Sequence, residues 1–325
     1  MQYQKKIKFV DYPRPVAKEA YDKAIDRMLE RLCKLEGILS VYQVGGVSSP
    51  GISDIDLFVV FDDGIRSSFN PLHNLCSNDR YLFLHHFFGT SISFLDNIER
   101  YTLFGKYTLL WGTDIMPAYS HDAGEQRIKQ QIALEYLLKF YISLTIELAY
   151  KIIKIRNLLL HIKALAIDFS FLDLDVNSVF GRLQKILDWR VNWFADTPSC
   201  ETISEWLLPF YEDLYHILDQ QLQTREFYLP YSFDQKIARN IRLENGKNLK
   251  ASRSGFPLPS AFSSLGRKYF NIQHRINSFV FQIPFRSRNI PECIDQRFKT
   301  LSIMRKYNES HLPSFIPTAY GLSIF

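Results

Sequence analysis

The sequence predicts an α+β chain: a small mixed sheet with flanking helices, then a helical bundle, then a basic C-terminal region of mixed or irregular structure. Three observations predict this order. Short apolar strands separated by Gly, Pro and Asp turns occupy residues 39–112. Apolar residues then recur with helical spacing over about 100 residues, a typical domain length. After Arg225, Pro and Gly punctuate short apolar pieces, and Lys and Arg dominate the charge.

The first predicted element is an amphipathic helix over Val16–Leu35, with Pro13 and Pro15 before it and Gly37 after it. Four strands are then predicted: Leu39–Val44, Asp54–Phe61, Tyr81–Phe88 and Tyr107–Trp111. For the third, a helix running on from Pro71 remains an open alternative. Helices are predicted over Asp122–Lys163, Val176–Trp193 and Ile203–Gln223. These elements divide the chain into predicted domains over residues 1–120, 121–225 and 226–325.

Composition is that of a folded protein, with 46% hydrophobic and 22% charged residues in a chain of 325. No apolar stretch follows the basic Lys5–Lys8 segment, so no secretory signal is predicted. The most apolar run, Ile132–Ile167, is interrupted by charged residues, which argues against a membrane span. The four cysteines are scattered, which argues against a disulfide framework and a cysteine zinc site. We therefore expect a cytoplasmic protein.

Positive charge is concentrated near the C-terminus. The segment Lys236–Glu309 carries fifteen Lys and Arg residues against four carboxylates, whereas the whole chain has a net charge of only +5. Such a local excess can attract an anionic partner, nucleic acid included, or it can be a solvated basic surface.

A glycine pair and two aspartates form the most informative motif, Val44-Gly45-Gly46 followed by Asp54-Ile55-Asp56. Side chains alternate along a strand, so the two aspartates share one face while Ile55 points into a core. Two neighbouring carboxylates repel each other unless a cation lies between them, and Mg²⁺ prefers carboxylate and phosphate oxygens. The glycines let backbone N–H groups approach a phosphate. Ser48 and Ser49 can add hydroxyl donors, although both are equally typical of a turn.

This motif resembles the signature of the DNA polymerase β-like nucleotidyltransferase superfamily: a hydrophobic residue, Gly, then Gly or Ser, and later Asp-hydrophobic-Asp. The run Ser53-Asp54-Ile55-Asp56-Leu57 is similar to the form in its bacterial members. The resemblance covers about residues 16–115 and implies a nucleotidyltransferase fold. It implies Mg²⁺ held by Asp54 and Asp56, and an NTP such as ATP bound through Gly45, Gly46, Ser48, Ser49 and Ser53. The implied reaction moves a nucleoside monophosphate to an acceptor, and the helical region that follows favours a small-molecule acceptor.

The third carboxylate of the family is missing from its expected place. The predicted strand Tyr81–Phe88 contains no Asp or Glu, but it contains His85 and His86. Imidazole titrates near neutral pH, so either histidine can act as a general base. We take His86 and Asp114, which follows the strand ending at Trp111, as the candidates that would join Asp54 and Asp56 in catalysis.

Other interpretations remain open at this point. Asp54 and Asp56 can be solvated carboxylates at the start of a strand, the histidines can be packed core residues, and Asp114 can be a loop or cap residue. The missing carboxylate favours an NTP-binding module without chemistry, and the basic segment favours a nucleic-acid-directed transferase. A second Asp-x-Asp, Asp173-Leu174-Asp175, has no glycine pair before it and is interpreted as a turn.

Overall fold

The computed structural model describes residues 7–100, 102, 106–117, 123–174, 177–230 and 235–317. Its strands are β1 Lys8–Val10, β2 Ile38–Val44, β3 Asp56–Phe61, β4 Phe88–Ser91, β5 Tyr107–Gly112, β6 Ile152–Lys154, β7 Gln235–Ala238, β8 Ile241–Asn245, β9 Lys250–Gly255 and β10 Asn277–Ile283. Its α-helices are α1 Lys18–Leu32, α2 Ser77–Leu82, α3 Ala123–Tyr150, α4 Ile155–Phe171, α5 Asn177–Asn192, α6 Cys200–Thr224, α7 Arg267–Ile276 and α8 Glu292–His311. Asp122 and Asp175 lie outside the described residues.

The described chain forms two compact units, which differ from the three predicted domains. The first unit comprises residues 14–132 and 292–317, and the second comprises residues 7–13 and 133–291. The predicted helical domain and most of the basic region therefore fold together, and α8 belongs to the first unit. The predicted basic segment is consequently divided between the two units.

The sheet of the first unit has the strand order β4-β3-β2-β5. β2 pairs antiparallel with β3 and β5, and β4 lies parallel to β3. The predicted alternation in β3 is confirmed, because one face of the sheet buries four residues that are at most 2% exposed, Ile55, Leu57, Val59 and Phe61. The other face buries Tyr42, Val44, Phe58 and Val60. Since both faces are covered, polar side chains gather at the strand ends.

Helix α1 packs into the same core as Ile55 and Leu57. Its buried residues recur with helical spacing: Tyr21, Ala24, Ile25, Met28 and Leu32. The predicted amphipathic helix is thus confirmed, with slightly tighter bounds than Val16–Leu35. This packing brings the Tyr21 side chain to the loop between β2 and β3.

The segment predicted as a strand over Tyr81–Phe88 instead contains the end of a short helix, α2, then a link without regular secondary structure, then the start of β4. Cys76 Sγ accepts the Asp79 N–H and caps α2. Arg27 of α1 binds both carboxylate oxygens of Asp79, at 3.1 and 2.5 Å. The contacts of Cys76 and Asp79 stabilise α2, which extends into the apolar run that the pattern predicted as a strand. The strand that pairs with β3 therefore begins at Phe88.

The described C-terminal region is mixed rather than irregular, and its last part belongs to the first unit. After α8, the Ile316 N–H donates to Phe87 O at 2.9 Å, and the Gly89 N–H donates to Ile316 O at 3.0 Å. The ring of Phe315 lies 5.0 Å from that of Phe61, in the core. A Cβ added at Gly89 would lie 2.8 Å from Phe315, so only glycine fits this close approach.

The second unit contains α4, α5, α6 and most of α3. The predicted helix from Asp122 to Lys163 is interrupted at Lys151, which has a φ of 57°. Ile152–Lys154 then forms β6, which pairs in parallel with β1. The single helix predicted over Asp122–Lys163 is therefore wrong, because two helices flank a short strand there. β-branched Ile152 and Ile153 favour a strand, but their partner lies near the N-terminus and is not visible in the local pattern.

A second sheet, with the order β7-β8-β10-β9, also belongs to the second unit. Its buried side includes Leu243, Phe279, Phe281 and Ile283. Asp173, with a φ of 49°, forms a turn after α4, as predicted for this part of the second Asp-x-Asp. The chain is thus a mixed α and β protein with small sheets. Among the described residues, no helix combines the length and the apolar character needed to cross a membrane.

Candidate metal and nucleotide site

Asp54 and Asp56 lie at the N-terminal end of β3, next to the last residue of β2. Val44 pairs directly with Asp56, so the glycine pair that follows Val44 stands beside the two aspartates. The Asp54 and Asp56 side chains are 18% and 28% exposed. Their neighbours Ile55 and Leu57 are buried on the opposite face. The fold therefore holds two carboxylates together at a strand end, partly shielded from water.

The loop before Asp54 is held in shape by two tyrosines and two serines. Tyr21 Oη donates to Ser53 O at 2.7 Å and accepts the Gly51 N–H at 2.9 Å. Tyr81 Oη donates to Gly51 O at 2.5 Å. The Ser49 N–H donates to Ser53 Oγ at 3.2 Å, and the Ser53 N–H donates to Ser49 O at 2.8 Å. The loop thus enters β3 with its backbone fixed at several points.

His85 lies at a bend in the link between α2 and β4. The link is fastened to the start of β3, because the Ile55 N–H donates to Leu82 O at 3.0 Å. Phe83 and Phe87 are buried on either side of His85, with their ring centroids 5.2 Å apart. Two apolar anchors therefore present the intervening imidazole at the edge of the core, with 40% of its side chain exposed.

The imidazole of His85 meets both carboxylates. His85 Nδ1 donates to His86 O at 2.6 Å, which orients the ring. Nε2 then lies 2.8 Å from Asp56 Oδ1 and 3.9 Å from Asp54 Oδ2. Within the described residues, Asp54, Asp56 and His85 form a cluster whose potential ligand atoms lie within 4.8 Å of one another. The structure thus supplies a third group for the pair, and that group is an imidazole.

The charges in this cluster are coupled. Burial lowers the pKa of His85, but the contact with Asp56, its negative charge and the weaker effect of Asp54 outweigh burial and raise the pKa to about 9. In the absence of a metal ion, a protonated imidazole therefore offsets part of the carboxylate charge near neutral pH. Asp56 Oδ1 is buried, and its described contact is this ion pair with His85 Nε2 at 2.8 Å.

This donor set fits a divalent cation. Two carboxylates and an imidazole nitrogen are groups that bind divalent metals, and carboxylate oxygens suit Mg²⁺ in particular. The buried Oδ1 of Asp56 is an acceptor that a cation would satisfy. With three protein groups at most, the remaining positions of an octahedral ion would be open to water or phosphate oxygens.

The glycine pair borders open space. A Cβ added at Gly45 or Gly46 would meet no atom within 4 Å, and Gly45 has a φ of 68°, which favours glycine. We predicted that the Gly45 N–H would bind a phosphate. In the structure this N–H already donates to Lys106 O at 2.9 Å. Gly46 and Ser48 are exposed, whereas Ser49 and Ser53 are only 7% and 4% exposed and shape the loop. Of the predicted nucleotide ligands, Gly46 and Ser48 are the ones placed to meet a ligand.

The structure does not bring the two other predicted catalytic residues to the pair. His86 has an exposed side chain, and its carbonyl orients His85. Asp114 accepts a hydrogen bond from Tyr42 Oη at 3.1 Å. It follows β5, whose last residue, Gly112, pairs with Ser40 near the opposite end of β2 from Val44. The sequence indicated that both histidines lie near the site. Only the path of the chain after α2 shows that His85, and not His86, contacts the aspartates.

Comparison of the chain with models of protein families, with curated proteins and with solved structures finds no match. The functional interpretation therefore rests on the motif and on the geometry of its residues.

Proposed function

We propose that the first unit is a Mg²⁺-dependent nucleotidyltransferase that moves a nucleoside monophosphate from an NTP to an acceptor. We rank a small-molecule acceptor ahead of a nucleic-acid acceptor. One observation carries this proposal: Asp54, Asp56 and His85 converge beside an exposed glycine pair that borders open space. The resemblance of the Gly-Gly and Asp-x-Asp motif to polymerase β-like enzymes supports the same conclusion.

Each residue has a chemical role in this proposal. Asp54 and Asp56 would hold the metal, which when bound neutralises phosphate charge and polarises the reacting phosphoryl group. The Gly46 N–H and the Ser48 hydroxyl would bind phosphate oxygens. A cation held by Asp54 and Asp56 would offset the negative charge that raises the pKa of His85, and the neutral Nε2 would then accept the proton of the acceptor hydroxyl. The acceptor oxygen forms a bond to the α-phosphorus, the bond from that phosphorus to pyrophosphate breaks, and pyrophosphate leaves.

The test is pyrophosphate release from each NTP with Mg²⁺ and a panel of hydroxyl and amine acceptors. Asp54→Asn and Asp56→Asn should abolish release while the circular dichroism spectrum stays unchanged. Asp62→Asn is the matched control, because Asp62 follows the other end of β3 and is exposed. Full activity in the Asp54→Asn, Asp56→Asn double variant would refute the proposal.

Calorimetry distinguishes an enzyme from a binding module. NTP binding that depends on Asp54 and Mg²⁺, with no pyrophosphate released for any acceptor, would favour a module that binds a nucleotide without transferring it. This second candidate is supported by one observation: the third group beside Asp54 and Asp56 is His85 and not a carboxylate.

A nucleic-acid acceptor is favoured by one face of the second sheet. Strand register places Lys236 beside Arg242 and Lys250 beside Gln282, on a common face with one carboxylate, Glu244. Lys236, Arg242 and Lys250 are exposed. If this face binds nucleic acid, the affinity should fall steeply with salt and should weaken when Lys236 and Lys250 are replaced by Glu. Salt-independent binding, or none, leaves the small-molecule acceptor.

A further inference from the structure

A second concave site in the first unit lies between the start of α1 and α2. It is a cavity of about 350 Å³, within the range of small-molecule sites. Its apolar lining includes Val16 and Ala20 around the start of α1 and Leu82 at the end of α2. None of the three residues of the carboxylate–histidine cluster lines it. The cavity is therefore a different site from the proposed catalytic one.

The polar lining of this cavity is cationic. It contains Arg14, Lys23 and Arg27 against a single carboxylate, Asp79. Arg27 and Asp79 neutralise each other, because the guanidinium binds both carboxylate oxygens and the Asp79 side chain is only 9% exposed. The charges of Arg27 and Asp79 thus cancel, and the positive charges of Arg14 and Lys23 remain.

The two remaining cations have no carboxylate partner within the described residues. Arg14 stacks on Tyr81, with its guanidinium carbon 4.0 Å from the ring centroid, and donates to the neutral acceptors Ser77 O and Asn78 Oδ1. Its orientation is therefore fixed while its charge stays uncompensated. Lys23 is exposed and forms no ion pair with a described residue. A fixed guanidinium and a mobile ammonium at one cavity are well suited to bind an anionic group.

We propose that this cavity binds a small organic anion, which goes beyond the proposed function because no residue of the proposed catalytic cluster lines it. A carboxylate or phosphate group would lie between Arg14 and Lys23. A short apolar part would lie against Val16 and Leu82. Both anionic groups share the required chemistry, and the experiment distinguishes them.

The cavity is connected to the catalytic loop by consecutive hydrogen bonds. The Arg14 N–H donates to Tyr81 Oη at 3.0 Å, and the same Oη donates to Gly51 O at 2.5 Å. Gly51 in turn is bonded to Tyr21, which also holds Ser53. An anion that immobilises Arg14 therefore stabilises the loop that leads into Asp54.

NMR titration of the full chain with benzoate, phenyl phosphate and neutral benzyl alcohol tests the site. Saturable shifts at residues 14–27 and 77–82 are expected with at least one anion and not with the alcohol. Lys23→Ala should weaken the affinity by about tenfold, as expected for loss of a charged partner, whereas Lys18→Ala, outside the lining, should not change it. The proposal is overturned if neither anion gives saturable shifts there, or if Lys23→Ala binds as tightly as wild type.

Hydrogen exchange tests the connection to the loop without NTP or Mg²⁺, so it does not depend on the proposed function. The anion that binds should slow amide exchange over residues 47–53 in the wild type. In Tyr81→Phe, which keeps the ring under Arg14 but loses both hydroxyl bonds, binding should persist and the protection should disappear. Equal protection in both proteins, or none in the wild type, would overturn the connection.

Discussion

Replacing Asp56 by Asn should remove most of the stabilisation that Mg²⁺ gives to the folded protein. The substitution keeps the size of the side chain but removes one of the two carboxylates in the cluster. Asp54 and His85 then remain as potential ligands. Loss of an outer-shell partner of a metal ligand already costs about 10–100-fold in affinity, so loss of a ligand charge should cost about 100-fold or more.

The expected shift in melting temperature follows from ligand linkage. At a Mg²⁺ concentration about 100 times the dissociation constant, the wild type gains about 2.7 kcal/mol. With affinity reduced about 100-fold, the same concentration gives Asp56→Asn only about 0.4 kcal/mol. For a domain of about 150 residues, each kcal/mol corresponds to about 2–4 °C. The wild type should therefore gain about 5–10 °C from Mg²⁺ and the variant less than about 2 °C.

Differential scanning fluorimetry over a Mg²⁺ series measures this shift, with each protein compared with its own EDTA-treated sample. That comparison removes any change that the substitution makes to the metal-free protein. Asp62→Asn, just beyond the other end of β3 and outside the cluster, should show the wild-type shift. A wild-type Mg²⁺ shift in Asp56→Asn, or no shift in the wild type, would refute the assignment of these residues as a cation site.

Three further predictions concern stability, and urea titration measures each. Burial raises the pKa of Glu147 from 4.5 to about 7, so the stability it contributes is full below pH 4.5 and is lost as the pH rises through 7. Glu147→Gln should therefore remove this pH dependence and stabilise the protein at pH 8 by at most about 3 kcal/mol; an unchanged slope would contradict this. Tyr21→Phe removes two loop hydrogen bonds and should cost about 1–3 kcal/mol, so an unchanged midpoint would show that the loop does not depend on them. Gly89→Ala brings a methyl group against Phe315 and should cost about 1–3 kcal/mol; an unchanged midpoint would contradict the close approach.

The sequence predicts the centre of the first unit well because the decisive patterns there are local. Strand β2, the alternation of β3 and the amphipathic face of α1 each depend on residues within one element. The same alternation correctly placed Asp54 and Asp56 together, with Ile55 on the opposite face. These features needed no knowledge of distant contacts.

The remaining features depend on contacts between distant parts of the chain. The edge of β4 is completed by Ile316, and β6 forms because Lys8–Val10 lies beside it. The local sequence pattern does not indicate either of these two pairings. The third group of the site has the same origin: His85 reaches Asp56 because Arg27 and Cys76 fix α2 and thereby displace the strand to Phe88. The strand that the pattern predicted over Tyr81–Phe88 led to His86 as the catalytic candidate, whereas the structure places His85 beside Asp56.

An imidazole in place of a third carboxylate should change which cation the site prefers. Mg²⁺ favours oxygen ligands, whereas imidazole nitrogen suits transition metals such as Ni²⁺. If His85 Nε2 binds the metal instead of accepting a proton, Ni²⁺ should bind more tightly than Mg²⁺, and His85→Asp, which makes an all-oxygen set, should reduce that preference by about tenfold or more. Parallel Mg²⁺ and Ni²⁺ titrations of the two proteins measure the ratio. An unchanged ratio in His85→Asp, together with lost pyrophosphate release, would show that His85 accepts the proton and does not bind the metal.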